Sequence, residues 1–292
     1  MRNLRRVVIA FLIMISVIIG IVQSQEITEG FAPLTEYRVE VLNVYPHDPT
    51  AFTQGLLIHE GVFYESTGLR GQSTLREVEI ETGEVLNSIA VSRTPEELET
   101  QIDYFAEGLE LVDGQLIQLT WQANVAFVYD FDTFEQVDTY EYDGEGWGLC
   151  YDERYLYMSD STQYLAIREP DTFELVGRML VTVNGNPLQA NLLNELECVG
   201  DYVYGNLWQR DIIVQIDKYT GNVVGLIDAA GLLTDEMITE IPNYRTNADG
   251  TLSPPSGGVL NGIAYNSETD TFFITGKLWS RMFEVNFVPV GG

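Results

Sequence analysis

The residues of this chain with the clearest capacity for chemistry are a glutamate and a lysine that lie near aromatic residues. Glu107 is two residues from Phe105, and Lys277 is two residues from Trp279. A glutamate that is desolvated among aromatic side chains has a raised pKa, as a general acid or base near neutral pH requires. A lysine in the same pocket could stabilise developing negative charge. The alternatives are that Glu107 caps a strand end and that Lys277 forms a surface salt bridge.

Repetition along the chain relates these residues to one another. Five segments open with a similar motif, in which Gly or Glu precedes Leu or Ile. The equivalent positions are Gly55, Gly108, Gly148, Glu195 and Gly262. The positions 13 residues later are Gly68, Trp121, Ser161, Trp208 and Thr275. In an antiparallel hairpin the first strand starts and the second strand ends on the same side, so both sets of positions are predicted to converge.

Turn signals divide the repeats into short strands, four in each complete repeat. Asp113-Gly114 lies between two alternating apolar runs, which is a strong hairpin signal. The fifth repeat, Leu260 to Val288, supplies only three strands, whereas Tyr37 to Tyr45 supplies a spare strand at the other end. Pairing of these two ends would close a ring and leave no sheet edge open. The sequence therefore predicts an all-β fold, a five-bladed β-propeller closed by the N-terminal strand joining the C-terminal blade.

Two connections between predicted strands are much longer than the others, at Ser92 to Tyr104 and at Gly231 to Gly258. Both precede the first strand of a repeat, so both are expected over the same end of the ring. The second contains Pro254 and Pro255 and is predicted to form a lid or rim rather than a linker between domains.

Chemistry is expected at the mouth of the central channel. The side chains predicted there are Gln54, Glu107, Trp147, Asn194 and Asn261 from the openings, with Glu65, Trp121, Asp160, Trp208 and Lys277 from the ends of the second strands. Three of the chain's four tryptophans belong to this set, which favours an apolar pocket that excludes water. A single tryptophan could instead pack neighbouring blades together. Glu65 is expected to be structural, and Asn194 and Asn261 could cap strand ends.

The first 24 residues are typical of a secretory signal peptide. Arg2, Arg5 and Arg6 form a basic start, residues 7–22 are almost wholly apolar, and Ser24 is small, as a cleavage site requires. An uncleaved membrane anchor is the alternative. The expected organisation is a signal peptide at 1–24, a linker at 25–36 and a catalytic propeller at 37–292. We expect a monomer that is secreted or extracytoplasmic, periplasmic or at the cell surface.

The net charge and the number of metal-binding residues limit which partners and metal ions are expected. The formal net charge of −29 argues against nucleic acid and anionic membranes as partners. Contact with a membrane is expected only if the N-terminal segment is uncleaved. The chain has only two histidines, His47 and His59, which argues against a zinc site. Oxygen-rich side chains around the channel could hold a structural divalent cation such as Ca²⁺.

The chain has two cysteines, Cys150 and Cys198. In the alignment of the repeats they lie one position out of phase on neighbouring inner strands, so their side chains are expected to face opposite ways. A pair of free buried thiols is therefore favoured over a disulfide.

Several motifs together resemble the plant and bacterial type of glutaminyl-peptide cyclotransferase. They are the segments 45–56, 64–69, 145–149, 193–197 and 260–265, with Thr275-Gly276-Lys277. The resemblance runs from about Tyr37 to the C-terminus. It implies a five-bladed propeller enzyme that converts the N-terminal glutamine of peptides or proteins to pyroglutamate and releases ammonia. This type is unrelated in fold to the zinc-dependent animal enzymes.

The resemblance also implies roles for individual residues. Glu107 corresponds to the catalytic acid/base, and Lys277 and Asn194 correspond to pocket residues of the family. The chemistry of ring closure requires stabilisation of a tetrahedral oxyanion, which Lys277, Gln54 or Asn194 could provide. The substrate pocket corresponds to Phe52, Gln54, Phe105, Trp121, Trp147 and Trp208. No metal or organic cofactor is required by this chemistry. The chain departs from the family pattern at the two long connections and at Ser161-Thr162-Gln163, which is expected to affect substrate access.

Two other functions remain open from the sequence. Glu107, Asn194 and Asn261 around one channel could belong to a divalent-metal-dependent propeller hydrolase or lactonase. A propeller that binds peptides without turning them over is the other alternative.

Overall fold

Tight turns in the left-handed backbone region set the spacing of the strands. At the predicted Asp113-Gly114 turn φ is 47° and 79°, and Glu60-Gly61 repeats this conformation with φ of 49° and 79°. Two such residues in succession match the twist of the flanking strands in a two-residue hairpin. The hairpin predicted at Asp113-Gly114 is therefore confirmed.

The computed structural model describes residues 34–91, 103–255 and 257–291. The predicted signal peptide and residues 92–102 of the first long connection lie outside the described residues. Within the described residues, no helix is long and apolar enough to cross a membrane.

The described chain is all-β apart from one short helix, and most of it forms four-stranded antiparallel units. The strands that precede and form the first two units are β1 Thr35–Pro46, β2 Thr53–His59, β3 Val62–Thr67, β4 Thr74–Glu79, β5 Val85–Ala90, β6 Ala106–Val112, β7 Gln115–Thr120, β8 Val125–Asp130 and β9 Gln136–Glu141. The third unit and a small hairpin comprise β10 Leu149–Tyr151, β11 Leu156–Ser159, β12 Tyr164–Arg168, β13 Leu175–Leu180, β14 Thr182–Val183 and β15 Asn186–Pro187.

The C-terminal half continues the same arrangement. Its elements are β16 Leu193–Val199, β17 Tyr202–Leu207, β18 Ile212–Asp217, β19 Val223–Asp228, α1 Asp235–Glu240, β20 Arg245–Thr246, β21 Leu252–Ser253, β22 Leu260–Asn266, β23 Thr271–Gly276 and β24 Arg281–Pro289. The sheets β2 to β5, β6 to β9 and β10 to β13 have four strands each in chain order. An eight-stranded sheet has the order β16-β17-β18-β19-β1-β24-β23-β22. The fold is propeller-like.

The spare N-terminal strand joins the C-terminal strands, as predicted. β1 pairs antiparallel with β24 from Tyr37 opposite Pro289 to Pro46 opposite Arg281. Its first residues also pair parallel with β19, with Thr35 opposite Gly225. This second pairing was not predicted, and it joins the two four-stranded groups into the eight-stranded sheet.

A buried ion network anchors the end of β1. The His47 Nε2 atom lies 3.1 Å from Glu65 Oε1, and Arg76 donates to both Glu65 and Asp48 at 2.6 and 2.8 Å. Burial opposes ionisation of Glu65, but Arg76 and His47 outweigh it and hold the pKa of this carboxyl at about 2. The Nδ1 atom of His47 lies 2.7 Å from the carbonyl of Trp279. The network therefore links the end of β1 to β3, to β4 and to the turn after β23. Glu65 lies in this network, in agreement with the structural role expected from the sequence.

The prediction of two free thiols is wrong, because Cys150 and Cys198 form a disulfide with a Cα–Cα distance of 5.3 Å. The bond joins β10 to β16, the inner strands of neighbouring sheets. When equivalent sheets stack around an axis, facing side chains come from opposite faces of their own sheets. A difference of one position between the two strands therefore turns the two cysteines toward each other. The expectation that the same difference makes their side chains face apart is wrong.

This disulfide closes a loop with a sequence separation of 48 residues. A cross-link of that length stabilises the folded chain by about 4 kcal/mol through the lost entropy of the unfolded chain. We expect the Cys150→Ala/Cys198→Ala variant to unfold at lower denaturant concentration, with a loss of that order in the free energy of unfolding. Thiol titration of the denatured wild-type protein should find no free thiol without reductant. Equal stability with and without reductant would contradict the prediction.

Candidate active site

We call β2, β6, β10, β16 and β22 the inner strands. A cavity of about 210 Å³ opens near the residues at which these strands begin. Its lining residues are Phe52, Gln54, Phe105, Glu107, Trp121, Trp147, Asn194, Trp208, Gly257 and Lys277. The structure thus brings together, around one cavity, all nine residues that the sequence and the family resemblance singled out for catalysis and substrate binding. Gly257 is the additional member.

Irregularities at equivalent places in four inner strands aim side chains at the cavity end of the ring. The ladders shift between Thr53 and Gly55 in β2, Ala106 and Leu109 in β6, Leu193 and Leu196 in β16, and Leu260 and Ile263 in β22. The residues within these shifts include Gln54, Glu107, Asn194 and Asn261. A β-bulge releases a residue from the ladder and re-aims its side chain, which is why bulges are common beside active sites.

Glycines allow the inner strands to approach one another just below the cavity. A Cβ atom on Gly55 would lie 2.5 Å from the amide nitrogen of Leu109, and one on Gly108 would lie 2.6 Å from that of Leu149. A Cβ atom on Gly148 would clash with the carbonyl oxygen of Asn194. Backbone therefore packs on backbone from β2 to β6, to β10 and to β16.

Glu195 occupies the fourth equivalent position, and its side chain crosses between strands. Its Oε2 atom accepts from the backbone N–H of Ile263 in β22 at 2.9 Å, and the carboxyl also accepts from Leu56 in β2. Burial and the nearby Glu197 raise the pKa of Glu195 well above its ordinary value. This carboxyl ties three inner strands together beneath the cavity.

Aromatic rings form the cavity wall. Phe105 packs edge-on against Phe52 at 6.0 Å and against Trp121 at 5.7 Å between ring centroids. Trp147 packs edge-on against Trp208 at 5.8 Å. Trp208 is 36% exposed and stands at the rim, whereas Trp147 is buried. The rings give the cavity a mainly apolar wall, into which Gln54, Glu107, Asn194 and Lys277 bring the polar groups.

Burial dominates the electrostatics of the two charged residues. Burial raises the pKa of Glu107 well above its ordinary value, Lys277 opposes this, and Glu145 adds to it. Burial lowers the pKa of Lys277 to about 8, although Glu107 and Glu195 act to raise it. The Lys277 Nζ atom also lies 5.1 Å from the ring centroid of Phe52, over its face. The pKa of Glu107 is thus shifted upward and that of Lys277 downward, and opposite shifts of this kind are typical of groups that take part in acid–base chemistry.

Three further candidates do not line the cavity. Asn261 is fully buried and donates to the carbonyl of Thr53 at 3.0 Å. Asp160 accepts from Arg178 at 3.1 Å, and Glu65 belongs to the ion network already described. Among the described residues, no group of three histidine, cysteine, aspartate or glutamate side chains has an arrangement that could hold a metal ion.

The second long connection reaches the cavity through Gly257. A Cβ atom on Gly257, where φ is 98°, would lie 3.0 Å from the ring of Phe52. Helix α1 of the same connection buries Met237 and Ile238, and Glu240 pairs with Arg281 at 2.8 Å. These contacts fasten the connection to the body of the fold, at the rim position that the sequence predicted.

Comparison with known proteins identifies the family. The model of the glutamine cyclotransferase family matches residues 12–287. A glutaminyl-peptide cyclotransferase from Arabidopsis thaliana is 35% identical over 252 residues, which cover 85% of this chain and 71% of the plant protein. The crystal structure of Myxococcus xanthus glutaminyl cyclase superposes with a TM-score of 0.73 at 37% identity, covering 88% of this chain and 99% of that structure.

The chain belongs to the glutamine cyclotransferase family. The resemblance found in the sequence is thereby confirmed, and the protein is an enzyme of this family. In the segment that was expected to depart from the family pattern, the carbonyl of Ser161 accepts from the N–H of Asn191 at 3.0 Å.

Sequence reasoning missed Gly257 and Glu145. The long connection around Gly257 carries no periodic pattern that would fix its path. Glu145 is in a motif quoted for the family resemblance, but its partners Gln122 and Trp147 become visible only in three dimensions. Its position two residues before a cavity tryptophan was the one signal available.

The glycine layer yields a prediction for this cyclotransferase. Gly148→Ala should destabilise the fold by about 1–3 kcal/mol or more, because its Cβ would overlap the backbone of β16. Gly177→Ala is the matched control, since a Cβ there meets nothing within 4 Å. Urea denaturation followed by tryptophan fluorescence measures both. If the two variants had equal free energies of unfolding, the inner strands could move apart without loss of stability, and the prediction would be wrong.

Proposed function

We propose that the protein converts the N-terminal glutamine of peptides or proteins to pyroglutamate with release of ammonia. The observation that carries this proposal is the burial of Glu107 beside a wall of aromatic rings, with Lys277 in the same cavity. The names of its similar relatives support the substrate class.

The reaction needs one carboxyl group that can both accept and donate a proton. The substrate's α-amine attacks its own side-chain carboxamide carbon, so a C–N bond closes a five-membered ring. Glu107 takes a proton from the attacking amine and gives it to the departing nitrogen. The C–N bond to that nitrogen then breaks and ammonia leaves. A carboxylate whose pKa is raised by burial is a stronger base toward the attacking amine than an ordinary glutamate, and its protonated form can then supply the proton to the departing nitrogen.

The aromatic wall has the task of bending the substrate. An extended glutamine side chain must fold until its amine and amide carbon meet, and an enclosing cavity favours that geometry over the extended one. Phe52, Phe105, Trp121, Trp147 and Trp208 are the residues we assign to this task. Exclusion of water also strengthens every charge interaction within the cavity.

Negative charge develops on the carboxamide oxygen as the ring closes. We assign Lys277 and Asn194, with Gln54, to its stabilisation. All three line the cavity, and each is less than 5% exposed. Donors held in place before the reaction need no reorganisation as charge develops. In this proposal no metal or organic cofactor takes part.

Five blades follow if the eight-stranded sheet is divided between β19 and β1. The units are then β2 to β5, β6 to β9, β10 to β13, β16 to β19, and β22 to β24 with β1. This division supports the proposal because it gives every blade an inner strand that starts at the cavity. We further propose that the mature protein is an extracytoplasmic monomer; the disulfide is compatible with an oxidising compartment.

Glu107→Gln should remove nearly all turnover, because the amide cannot exchange the proton. The measurement is ammonia release and the matching mass loss from a peptide with N-terminal glutamine, with EDTA present. Glu110→Gln is the matched control, since Glu110 lies on the same strand with a pKa raised to about 7 but does not line the cavity. We expect this control to keep most of the activity.

Three outcomes would count against the proposed function. An active Glu107→Gln variant would remove the assigned acid/base. Loss of wild-type activity in EDTA would favour a metal-dependent reaction. Tight binding of the peptide without ammonia release would favour a binding protein.

The dependence of kcat/KM on pH should be bell-shaped. The rising limb follows loss of the proton from the Glu107 carboxyl and from the substrate's ammonium group, and the falling limb follows loss of the proton from Lys277, whose pKa is about 8. In Lys277→Arg the guanidinium stays charged, so the falling limb should move to higher pH even if the rate is lower. A falling limb that stays in place would show that Lys277 does not cause it.

A further inference from the structure

Glu145 lies just outside the cavity, where donors from several elements meet on one carboxylate. Its Oε2 atom accepts from the indole N–H of Trp147 at 3.0 Å, and its Oε1 atom accepts from the side-chain amide of Gln122 at 3.0 Å. The side chains of Trp121 and Ser161 also act on this carboxylate and lower its pKa. These partners come from the ends of β7 and β11 and from the segment before β10.

Four side chains that carry donor groups surround the carboxylate of Glu145. An ionised carboxylate offers about four acceptor positions, and neutral amide or hydroxyl groups in its place offer fewer. Burial would raise the pKa of Glu145, but the hydrogen bonds from Gln122 and the two indoles lower it. Glu145 is therefore a fixed negative charge whose hydrogen-bonding positions are already taken by the protein. It is not free to bind a substrate group.

The contacts of Glu145 matter for the reaction because they involve two indoles of the substrate cavity. Trp121 and Trp147 both line the cavity and belong to neighbouring sheets. An indole can rotate about two side-chain bonds unless its N–H is held, and ring packing alone leaves its tilt loosely defined. A single carboxylate that accepts from the N–H of Trp147 and interacts with the side chain of Trp121 holds the two rings relative to each other.

We propose that Glu145 is a positioning residue of the active site, which locks the planes of Trp121 and Trp147 across the boundary between two sheets and so sets the shape of the substrate cavity. This inference deepens the proposed function and rests on it for its catalytic consequence. The geometric part, the orientation of the two rings, stands independently of the reaction.

The charge of Glu145 has a second effect, on Glu107. The charged and titratable groups that act on or respond to Glu107 are Lys277, Glu145 and Tyr142. Lys277 lowers the pKa of Glu107 and Glu145 raises it. Removal of the charge at position 145 should therefore lower the pKa of Glu107 and move the acidic limb of kcat/KM to lower pH.

Two variants separate position from charge. Glu145→Gln removes the charge and replaces one acceptor oxygen by a donor, so the two indoles cannot both be held. We expect kcat/KM to fall roughly 10- to 100-fold, as displacement of groups that orient a substrate does, with a raised KM and an acidic limb at lower pH. Glu145→Asp keeps the charge but is shorter, so it should lose kcat/KM without moving the acidic limb. Glu141→Gln, an exposed site on β9, is the charge-matched control and should behave as wild type.

A spectroscopic arm does not depend on turnover. Fluorine spectra of protein labelled with 5-fluorotryptophan should resolve the four tryptophans, with Trp→Phe variants for assignment. In Glu145→Gln the signals of Trp121 and Trp147 should shift or broaden. The signal of Trp279, which packs against Phe283 away from Glu145, should stay in place.

The outcomes are distinguishable from failure of the proposed function. If wild type releases no ammonia, the proposed function fails, and the fluorine spectra still decide whether Glu145 orders the indoles. If wild type is active, a Glu145→Gln variant with wild-type kcat/KM and acidic limb overturns the inference, even where the signals move. Unchanged signals of Trp121 and Trp147 also overturn it. A shift confined to these two signals together with the lower kcat/KM supports it.

Discussion

The close approach of the inner strands is the constraint on which the rest of the structure depends. Gly55, Gly108 and Gly148 let backbone lie against backbone, where any side chain would overlap the next strand. Contact at this layer brings the starts of the strands to one small opening. Gln54 and Glu107, the bulged residues just before Gly55 and Gly108, are thereby concentrated at that opening. Packing of the fold and construction of the cavity are thus consequences of the same contacts.

Such tight packing also determines the electrostatics of the site. Since the layer beneath the cavity is closed by backbone and by Glu195, water has little access from below. Burial is accordingly the first cause of the raised pKa of Glu107 and of the lowered pKa of Lys277. Each group also favours ionisation of the other, so the protonation states of Glu107 and Lys277 depend on one another.

The sequence was most informative where position follows from the repeat itself. Glu107 and Trp121 could be placed at one mouth because the hairpin geometry of every repeat is the same. The relation between neighbouring sheets was harder to infer, and Cys150 with Cys198 shows why, since alternation along one strand does not say which faces meet when sheets stack. The parallel pairing of β1 with β19 and the hydrogen bonds of Glu145 likewise depend on packing between units. The spacing of residues along the sequence does not determine such contacts between sheets.

Glu195 shows how closely stability and chemistry are connected in this fold. Where the neighbouring units have glycine, this unit has a carboxyl that accepts from the backbone of β22 and β2. A neutral carboxyl there satisfies the two N–H groups and avoids the cost of a buried charge, consistent with its raised pKa. Its ionisation would place a second negative charge near Lys277, which would raise the pKa of that lysine. The residue that joins three inner strands beneath the cavity therefore also acts on the charge of the cavity above it.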